Sequence, residues 1–325
     1  MPVGRGQREL VLGDRKSGKT SISLDTTLSQ EREGVACVCA SIAARAGSLL
    51  AFSFVVAART SASYVLGVFA SAFDCASLQY LSPYTAAAAS EFFMWQGHVP
   101  AFVALDDLSK HAVCYREIYL LLTRPPGREA YPGEIFFVHS RLLERAAKLS
   151  LPRGGGSVTA FPVIETLAAD VSSYISTNVI STTDGQIFLS LELFLSNARP
   201  AVDIGLSVTR VGGAAQWLGV RSLAGSYKIE MAQYFELQSF AQFSADLGEE
   251  TQRALGRGSR LVRLLCQRCG CPFSLPTELA LLSVSLARGF GSVEAQSLRR
   301  LAGSLAALPE WGLVAAGPLF GRPTD

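Results

Sequence analysis

Charged side chains are scarce in this sequence, and long uncharged apolar runs are missing as well. Only 17% of the 325 residues are Asp, Glu, Lys or Arg, and the mean hydropathy is +0.28. The most apolar stretch is interrupted by Arg45, Arg59 and Asp74 before about 18 uncharged residues accumulate. We therefore expect no membrane-spanning helix, and we expect broad apolar surfaces to be buried against partner subunits.

Basic residues are few, and they do not cluster. The net charge is +2, and no block of Lys or Arg interleaves with aromatic residues. We therefore expect neither nucleic acid nor an anionic membrane surface as a partner. The opening residues, Met1 to Gly6, form neither a secretory signal peptide nor an Arg- and Ser-rich transit segment.

Histidine is rare, and cysteine shows no convincing ligand pattern. The three histidines are scattered, at His98, His111 and His139. We expect them at the surface or in the core rather than in catalysis. Seven cysteines, an odd number in a long chain, argue against a disulfide framework. Cys37 and Cys39 lie two residues apart in a predicted strand, so they face the same side of it and should be buried. The cluster Cys266, Cys269 and Cys271 lacks a nearby fourth ligand for zinc.

Apolar runs alternate with helix-like stretches through the N-terminal part of the chain. Strands are predicted at Glu9–Leu12, Gly34–Ser41, Tyr64–Ser71, Val99–Leu105, Ser157–Ile164 and Gln186–Leu189. Helices are predicted at Lys19–Gln30, Ser48–Thr60, Tyr84–Gly97, Ser109–Thr123 and Ser140–Lys148. This alternation predicts an α/β fold with a mostly parallel, doubly wound sheet.

Strand signals fade near residue 213. Beyond it, amphipathic helical patterns occur at Tyr227–Ala245, Glu249–Cys266, Glu278–Ala287 and Val293–Leu305. We therefore predict two domains, an α/β domain at residues 1–213 and an all-α C-terminal domain at residues 214–325.

A phosphate-binding motif follows the first predicted strand. The pattern G-x-x-x-x-G-K-[ST] is matched by Gly13, Asp14, Arg15, Lys16, Ser17, Gly18, Lys19 and Thr20. Glycines let several backbone N–H groups point at one anion, and the following helix adds partial positive charge there. Lys19 can reach the outer phosphates of a nucleotide, and the Thr20 hydroxyl can bind Mg²⁺. The motif therefore predicts a P-loop nucleotide site.

A second nucleotide signal is the apolar strand that ends in Asp106 and Asp107. Such a strand delivers an aspartate, here Asp106, to the Mg²⁺ side of the nucleotide through a bound water. Asp107 can alternatively cap the next helix. Hydrolysis also needs a group that orients the attacking water, and the stretch from Ser41 to Ser48 offers no carboxylate. We therefore expect a site that holds Mg–ATP without turning it over.

Several longer stretches resemble the alpha subunit of the rotary proton-translocating, mitochondrial-type ATP synthase. They are Gly4–Leu10, Asp106–Lys110, Arg124–Gly133, His139–Lys148 and Gly205–Gly212. The resemblance extends from the start of the chain to about Leu265. It implies a RecA-like nucleotide-binding domain followed by a helical domain. The N-terminal β-barrel of the family is absent from this chain, so we expect the C-terminal part of a split alpha subunit.

The resemblance also implies roles for individual residues. Arg210 matches the arginine that alpha lends in trans to the catalytic site of the neighbouring beta subunit. Phe194, Arg199 and Pro200 match positions near the adenine of alpha's own site, and Gln267 matches one of two glutamines there. The implied ligands are Mg²⁺ and ATP or ADP.

The family further implies partners and a location. Alpha and beta subunits alternate in a hexameric head, so beta would lie on both sides of this chain, around the central-stalk gamma subunit. Peripheral-stalk subunits and a separate chain carrying the N-terminal part of alpha are also expected. The implied place is the matrix side of the mitochondrial inner membrane.

Three departures from the family pattern leave alternatives open. Lys16, Ala44 and Cys269 stand where the family usually has glutamine. A structural subunit with an empty pocket is therefore one alternative, which the intact Lys19 and Thr20 argue against. A self-sufficient RecA-like hexameric ATPase or helicase is another, although it would need its own catalytic glutamate.

Overall fold

The computed structural model describes residues 2–59, 64–216, 218–241, 248–286 and Ser297. The chain divides into two compact units. The first comprises Met1–Leu195, Ala201–Gly212 and Cys269–Pro272, and the second comprises Ser196–Pro200, Gly213–Arg268 and Phe273–Asp325.

Seven strands form one sheet in the described part of the first unit. They are β1 (Glu9–Gly13), β2 (Ala36–Ala44), β3 (Val65–Ser71), β4 (Pro100–Asp106), β5 (Ser157–Glu165), β6 (Gly185–Leu189) and β7 (Val202–Thr209). The strand order is β3-β2-β4-β5-β1-β6-β7, and every neighbouring pair is parallel except β6 and β7. The mostly parallel α/β sheet predicted from the sequence is confirmed.

Helices connect these strands, and the elements described in the second unit are also helices. The first unit contains α1 (Lys19–Ser29), α2 (Ala46–Arg59), α3 (Ala76–Trp95), α4 (Leu108–Leu121), α5 (Ile135–Leu143), α6 (Tyr174–Thr182) and α7 (Leu191–Leu195). The second contains α8 (Leu218–Ala241), α9 (Glu249–Leu265) and α10 (Leu275–Leu286). None of the helices within the described ranges is long and apolar enough to cross a membrane.

Both faces of the sheet are buried under apolar side chains, as expected for parallel strands covered by helices. Alternate residues of β1 separate onto the two faces, since Leu10 and Leu12 join one core cluster and Val11 joins the other. Cys37 and Cys39 lie together in the second cluster, as predicted. Every residue of β1, an interior strand of the sheet, is therefore buried directly before the loop that follows it.

The three histidines lie where they were predicted, in the core or at the surface. His111 and His139 are fully buried, with ring centroids 5.4 Å apart, and His98 is exposed. Burial lowers the pKa of His111 to about 4 and that of His139 to about 3, so both rings are neutral.

Three predicted helices begin well away from where they were expected. Helix α8 begins at Leu218, nine residues before the predicted Tyr227. Helix α3 begins at Ala76, eight residues before the predicted start at Tyr84, and continues through Pro83. A proline leaves the carbonyl four residues earlier without its helical donor, and here the Ser82 hydroxyl donates to that carbonyl, Gln79 O, at 3.0 Å. Helix α5 begins at Ile135 and ends at Leu143, so the predicted helix Ser140–Lys148 was misplaced towards the C-terminus.

Other predictions were missed or are untested. Strand β7 and helices α6 and α7 were not predicted at all. Some predictions lie outside the described residues. They are the helix Val293–Leu305, apart from Ser297, and the C-terminal ends of two other helices, at Ala245 and Ala287.

Candidate nucleotide site

The P-loop curls between the end of β1 and the start of α1. The backbone N–H and the hydroxyl of Ser17 both donate to Asp14 O, at 3.3 and 2.8 Å. Lys16 and Gly18 have positive φ angles, +63° and +98°. Glycine adopts this left-handed conformation without strain, which explains Gly18 at the N-terminal cap of α1. The loop thus has the strand–turn–helix setting that phosphate binding requires.

The Lys19 ammonium lies inside this loop. Its Nζ donates to Gly13 O at 2.8 Å and to Asp14 O at 2.6 Å. Burial lowers the pKa of Lys19, and nearby carboxylates, Glu165 foremost, oppose that shift. The loop therefore holds a partly desolvated cation beside its own backbone, which is suited to neutralising a phosphate.

The two predicted Mg²⁺ residues are brought together by the sheet. Thr20 lies in the first turn of α1 and Asp106 ends β4, and the Thr20 hydroxyl donates to Asp106 Oδ2 at 2.8 Å. A hydroxyl and a carboxylate are the hard oxygen donors that Mg²⁺ prefers, and they leave room for waters and phosphate oxygens in its coordination. This donor set fits the metal that the P-loop implies.

Asp107 takes the capping role that the sequence left open. It is the N-cap of α4, and its side chain accepts a hydrogen bond from the Ser109 backbone N–H at 2.9 Å. Burial raises the pKa of Asp107 to about 6, with neighbouring Asp106 adding to the effect. Asp107 thus orients the end of β4 and leaves Asp106 to face Thr20.

Glu165 is a site residue that the sequence reasoning missed. It ends β5, which lies between β4 and β1, and its carboxylate pairs with Arg15 Nε at 2.5 Å. Its backbone N–H donates to Ser109 Oγ at 3.0 Å. The available signal was its position directly after a buried strand, since the carboxyl ends of parallel strands share one edge of the sheet.

Asp14 ties the P-loop to the chain that follows β5. Its Oδ1 accepts hydrogen bonds from the Thr166 hydroxyl at 2.6 Å and from the Ala169 backbone N–H at 3.0 Å. Asp14 is therefore a support of the loop, because its carboxylate is turned towards the protein.

Phe194 lies beside the P-loop within the first unit. A methyl group added at Gly18 would lie 3.8 Å from Cε2 of its ring. The Cys269–Pro272 segment contacts α1 in the same unit, where the Gly270 N–H donates to Asp25 Oδ1 at 2.6 Å. Phe194 and Cys269 thus both belong to the unit that carries the P-loop.

The other predicted adenine-side residues belong to the second unit. There the Gln267 backbone N–H donates to Arg199 O at 2.8 Å, and Gln267 Oε1 accepts a hydrogen bond from the Phe273 N–H at 3.3 Å. Pro200 follows Arg199 through a cis peptide bond. The second unit therefore brings Arg199 and Gln267 into direct contact. Within the described residues, no group of three His, Cys, Asp or Glu side chains could hold a metal ion.

Arg210 and the P-loop of its own chain lie at opposite ends of the strands of the sheet. Strand β7 runs antiparallel to β6, so Thr209 at its end pairs with Gly185, which pairs with Glu9 at the start of β1. The P-loop follows the other end of β1, at Gly13. At about 3.3 Å per residue these two ends are on the order of 13 Å apart. The exposed Arg210 side chain is therefore attached at the end of the sheet where β1 begins, away from the P-loop.

A P-loop whose threonine meets a strand-end aspartate, on a mostly parallel α/β sheet, defines the class of P-loop nucleotide-binding proteins. The comparison with known families is narrower. Residues 1–209 match the nucleotide-binding domain of the ATP synthase alpha/beta family, and residues 216–308 match the C-terminal domain of the ATP synthase alpha/beta chain. The chain belongs to the ATP synthase alpha/beta family and is thus a subunit of a rotary ATPase, which assembles with other subunits.

Proposed function

We propose that this chain is an alpha-type subunit of a proton-driven rotary ATP synthase. It binds Mg–ATP or Mg–ADP at a non-catalytic site and supplies Arg210 to the catalytic site of an adjacent beta subunit. The observation that carries the proposal is the placement of Arg210 at the end of the strands opposite the P-loop of its own chain. An arginine so placed can serve a neighbouring subunit's nucleotide far more readily than its own.

The nucleotide would be held by the P-loop and by the two side chains that meet beside it, Thr20 and Asp106. Backbone N–H groups of the loop from Gly13 to Thr20 and the Lys19 ammonium would bind the phosphates. Thr20 and Asp106 would hold Mg²⁺, which would neutralise phosphate charge when bound. Phe194 lies along the same loop. This arrangement supports tight binding.

Turnover at this site is opposed by what surrounds it. Ala44 ends β2 where a water-orienting side chain would be expected, and residues 41–48 carry no carboxylate. Glu165 is near the loop, but its carboxylate is paired with Arg15. Within the part of the chain that the structure describes, neither position supplies a free base, so bound nucleotide would persist.

Arg210 would act as an arginine finger. Its guanidinium would stabilise charge that develops on the transferring phosphoryl group, an effect of about 10³ to 10⁵ in turnover for such arginines. The proposed partners are beta subunits on both sides, the gamma and peripheral-stalk subunits, and a separate chain with the N-terminal part of alpha. The proposed location is the matrix side of the mitochondrial inner membrane.

Two substitutions in the assembled complex test the proposal. Arg210→Ala should lower steady-state ATP turnover by about 10³ or more, with nucleotide binding to this chain unchanged. Lys19→Ala should remove nucleotide from this chain while the initial rate stays within about tenfold of wild type. Arg59→Ala, at an exposed arginine in the last turn of α2, is the matched control. Full turnover in Arg210→Ala, or loss of all turnover in Lys19→Ala, would contradict it.

A further inference from the structure

A buried polar cluster lies beneath the end of β7, and the proposed function makes no use of it. The cluster consists of Gln7, Glu9 and Thr209. Glu9 is fully buried and Gln7 is nearly so. The Gln7 amide Nε2 donates to Glu9 Oε2 at 2.9 Å and to Thr209 Oγ1 at 2.7 Å. One amide group therefore links the first strand of the chain to the residue before Arg210.

A glycine makes this link possible. Glu9, Gly185 and Thr209 are register partners on three adjacent strands. A methyl group at Gly185 would lie 2.5 Å from Glu9 Oε2 and 2.7 Å from Oε1. The Glu9 carboxyl therefore occupies the space above Gly185, and it extends across β6 towards Thr209.

The backbone of Arg210 is held from the same segment. Its N–H donates to Asp184 O at 2.9 Å, and the Asp184 carboxylate accepts two hydrogen bonds from the Arg8 guanidinium, at 3.0 and 2.8 Å. Consecutive residues of the chain, Gln7 and Arg8, thus fix Thr209 and Arg210.

Strand β7 needs such support. It is an edge strand of the described sheet and pairs with β6 on one side, and the pairing register shifts between Gln186 and Phe188. An edge strand anchored on one side can tilt, and a displacement of about 1 Å at a catalytic group can cost on the order of 10²-fold in rate.

We infer that Gln7 and Glu9 are positioning residues for Arg210, acting through the Thr209 hydroxyl to hold the end of β7 in register. This inference rests on the proposed trans role of Arg210. The cluster touches no substrate. It sets the direction from which the guanidinium leaves the sheet, so it affects the neighbour's transition state without affecting nucleotide binding at this chain's own P-loop.

The test uses isosteric substitutions in the assembled complex. Thr209→Val removes the hydroxyl and keeps the shape, and Gln7→Met removes the amide donor. Each should lower kcat by about tenfold to a hundredfold, with KM for ATP and nucleotide binding at this chain's P-loop unchanged. Thr209→Ser keeps the hydroxyl and should retain most of the wild-type kcat. Thr85→Val, at an exposed helical threonine of α3, is the matched control and should have no effect.

The same substitutions in an Arg210→Ala complex separate positioning from general damage. If the cluster acts through Arg210, Thr209→Val should cost no further kcat there, since residues acting as one unit are not additive. A full additional loss in that background would overturn the inference, as would an unchanged kcat for Thr209→Val alone. Wild-type kcat in Arg210→Ala itself would instead overturn the proposed function.

Discussion

The buried Glu9 carboxyl predicts a pH dependence of stability that one substitution should remove. Burial raises the pKa of Glu9 from its usual 4.5 to about 7, although the nearby Thr209 hydroxyl partly opposes the shift. Between these two values the folded chain keeps a proton that the unfolded chain has lost. Folding stability from this residue therefore falls as pH rises through that window and is constant above about 7.

The magnitude follows from the size of the pKa shift. At about 1.4 kcal/mol per pKa unit, ionising Glu9 in place costs about 3 kcal/mol. Glu9→Gln replaces the carboxyl by a neutral amide of the same shape. Its stability relative to wild type should be close to equal near pH 4 and should exceed wild type by about 3 kcal/mol near pH 8.

Urea unfolding of the purified wild-type and Glu9→Gln chains across this pH range measures that difference. Asp107 also has a raised pKa, about 6, but its contribution is the same in both chains and cancels in the difference. Glu117→Gln, at an exposed residue of α4, is the matched control for replacing a carboxyl group by an amide. A difference between Glu9→Gln and wild type that does not change with pH would refute the reasoning.

Two further predictions concern the metal and the packing of the sheet. Asp106→Asn removes the charge that faces Thr20, so it should weaken Mg²⁺-dependent nucleotide binding by about tenfold to a hundredfold in an equilibrium titration, with Mg²⁺-free binding much less affected. Gly156→Ala would place a methyl group against the backbone of Met94, whereas a methyl at Gly47 in α2 meets nothing within 4 Å. Thermal unfolding should show the first variant destabilised by about 1–3 kcal/mol and Gly47→Ala unchanged or more stable; equal stabilities would contradict this packing.

The strand–loop–helix arrangement around the P-loop was predictable because its signals are local. The motif from Gly13 to Thr20 needs a strand before it and a helix after it, and both signals lie within a short stretch of chain. The meeting of Thr20 with Asp106 followed from one rule, that parallel strands end at a common edge of the sheet.

Features that depend on distant neighbours could not be predicted. Glu165 matters because β5 pairs with β1, a contact that no local pattern reports. Strand β7 was missed because much of it is exposed and Gly205 interrupts it, so it lacks the alternation of a half-buried strand. The start of α3 was missed because Pro83 indicated a boundary, while Ser82 satisfies the carbonyl that the proline leaves free.

The proposed role of Arg210 in trans is tested most directly by trapping a mimic of the transition state on the neighbouring subunit. The assembled complex is incubated with Mg²⁺, ADP and fluoroaluminate, a mimic of the transferring phosphoryl group. Arg210→Ala should lose this trapping while retaining wild-type affinity for ADP alone, since a finger stabilises charge that develops only in the transition state. Trapping as tight as in wild type would contradict the account.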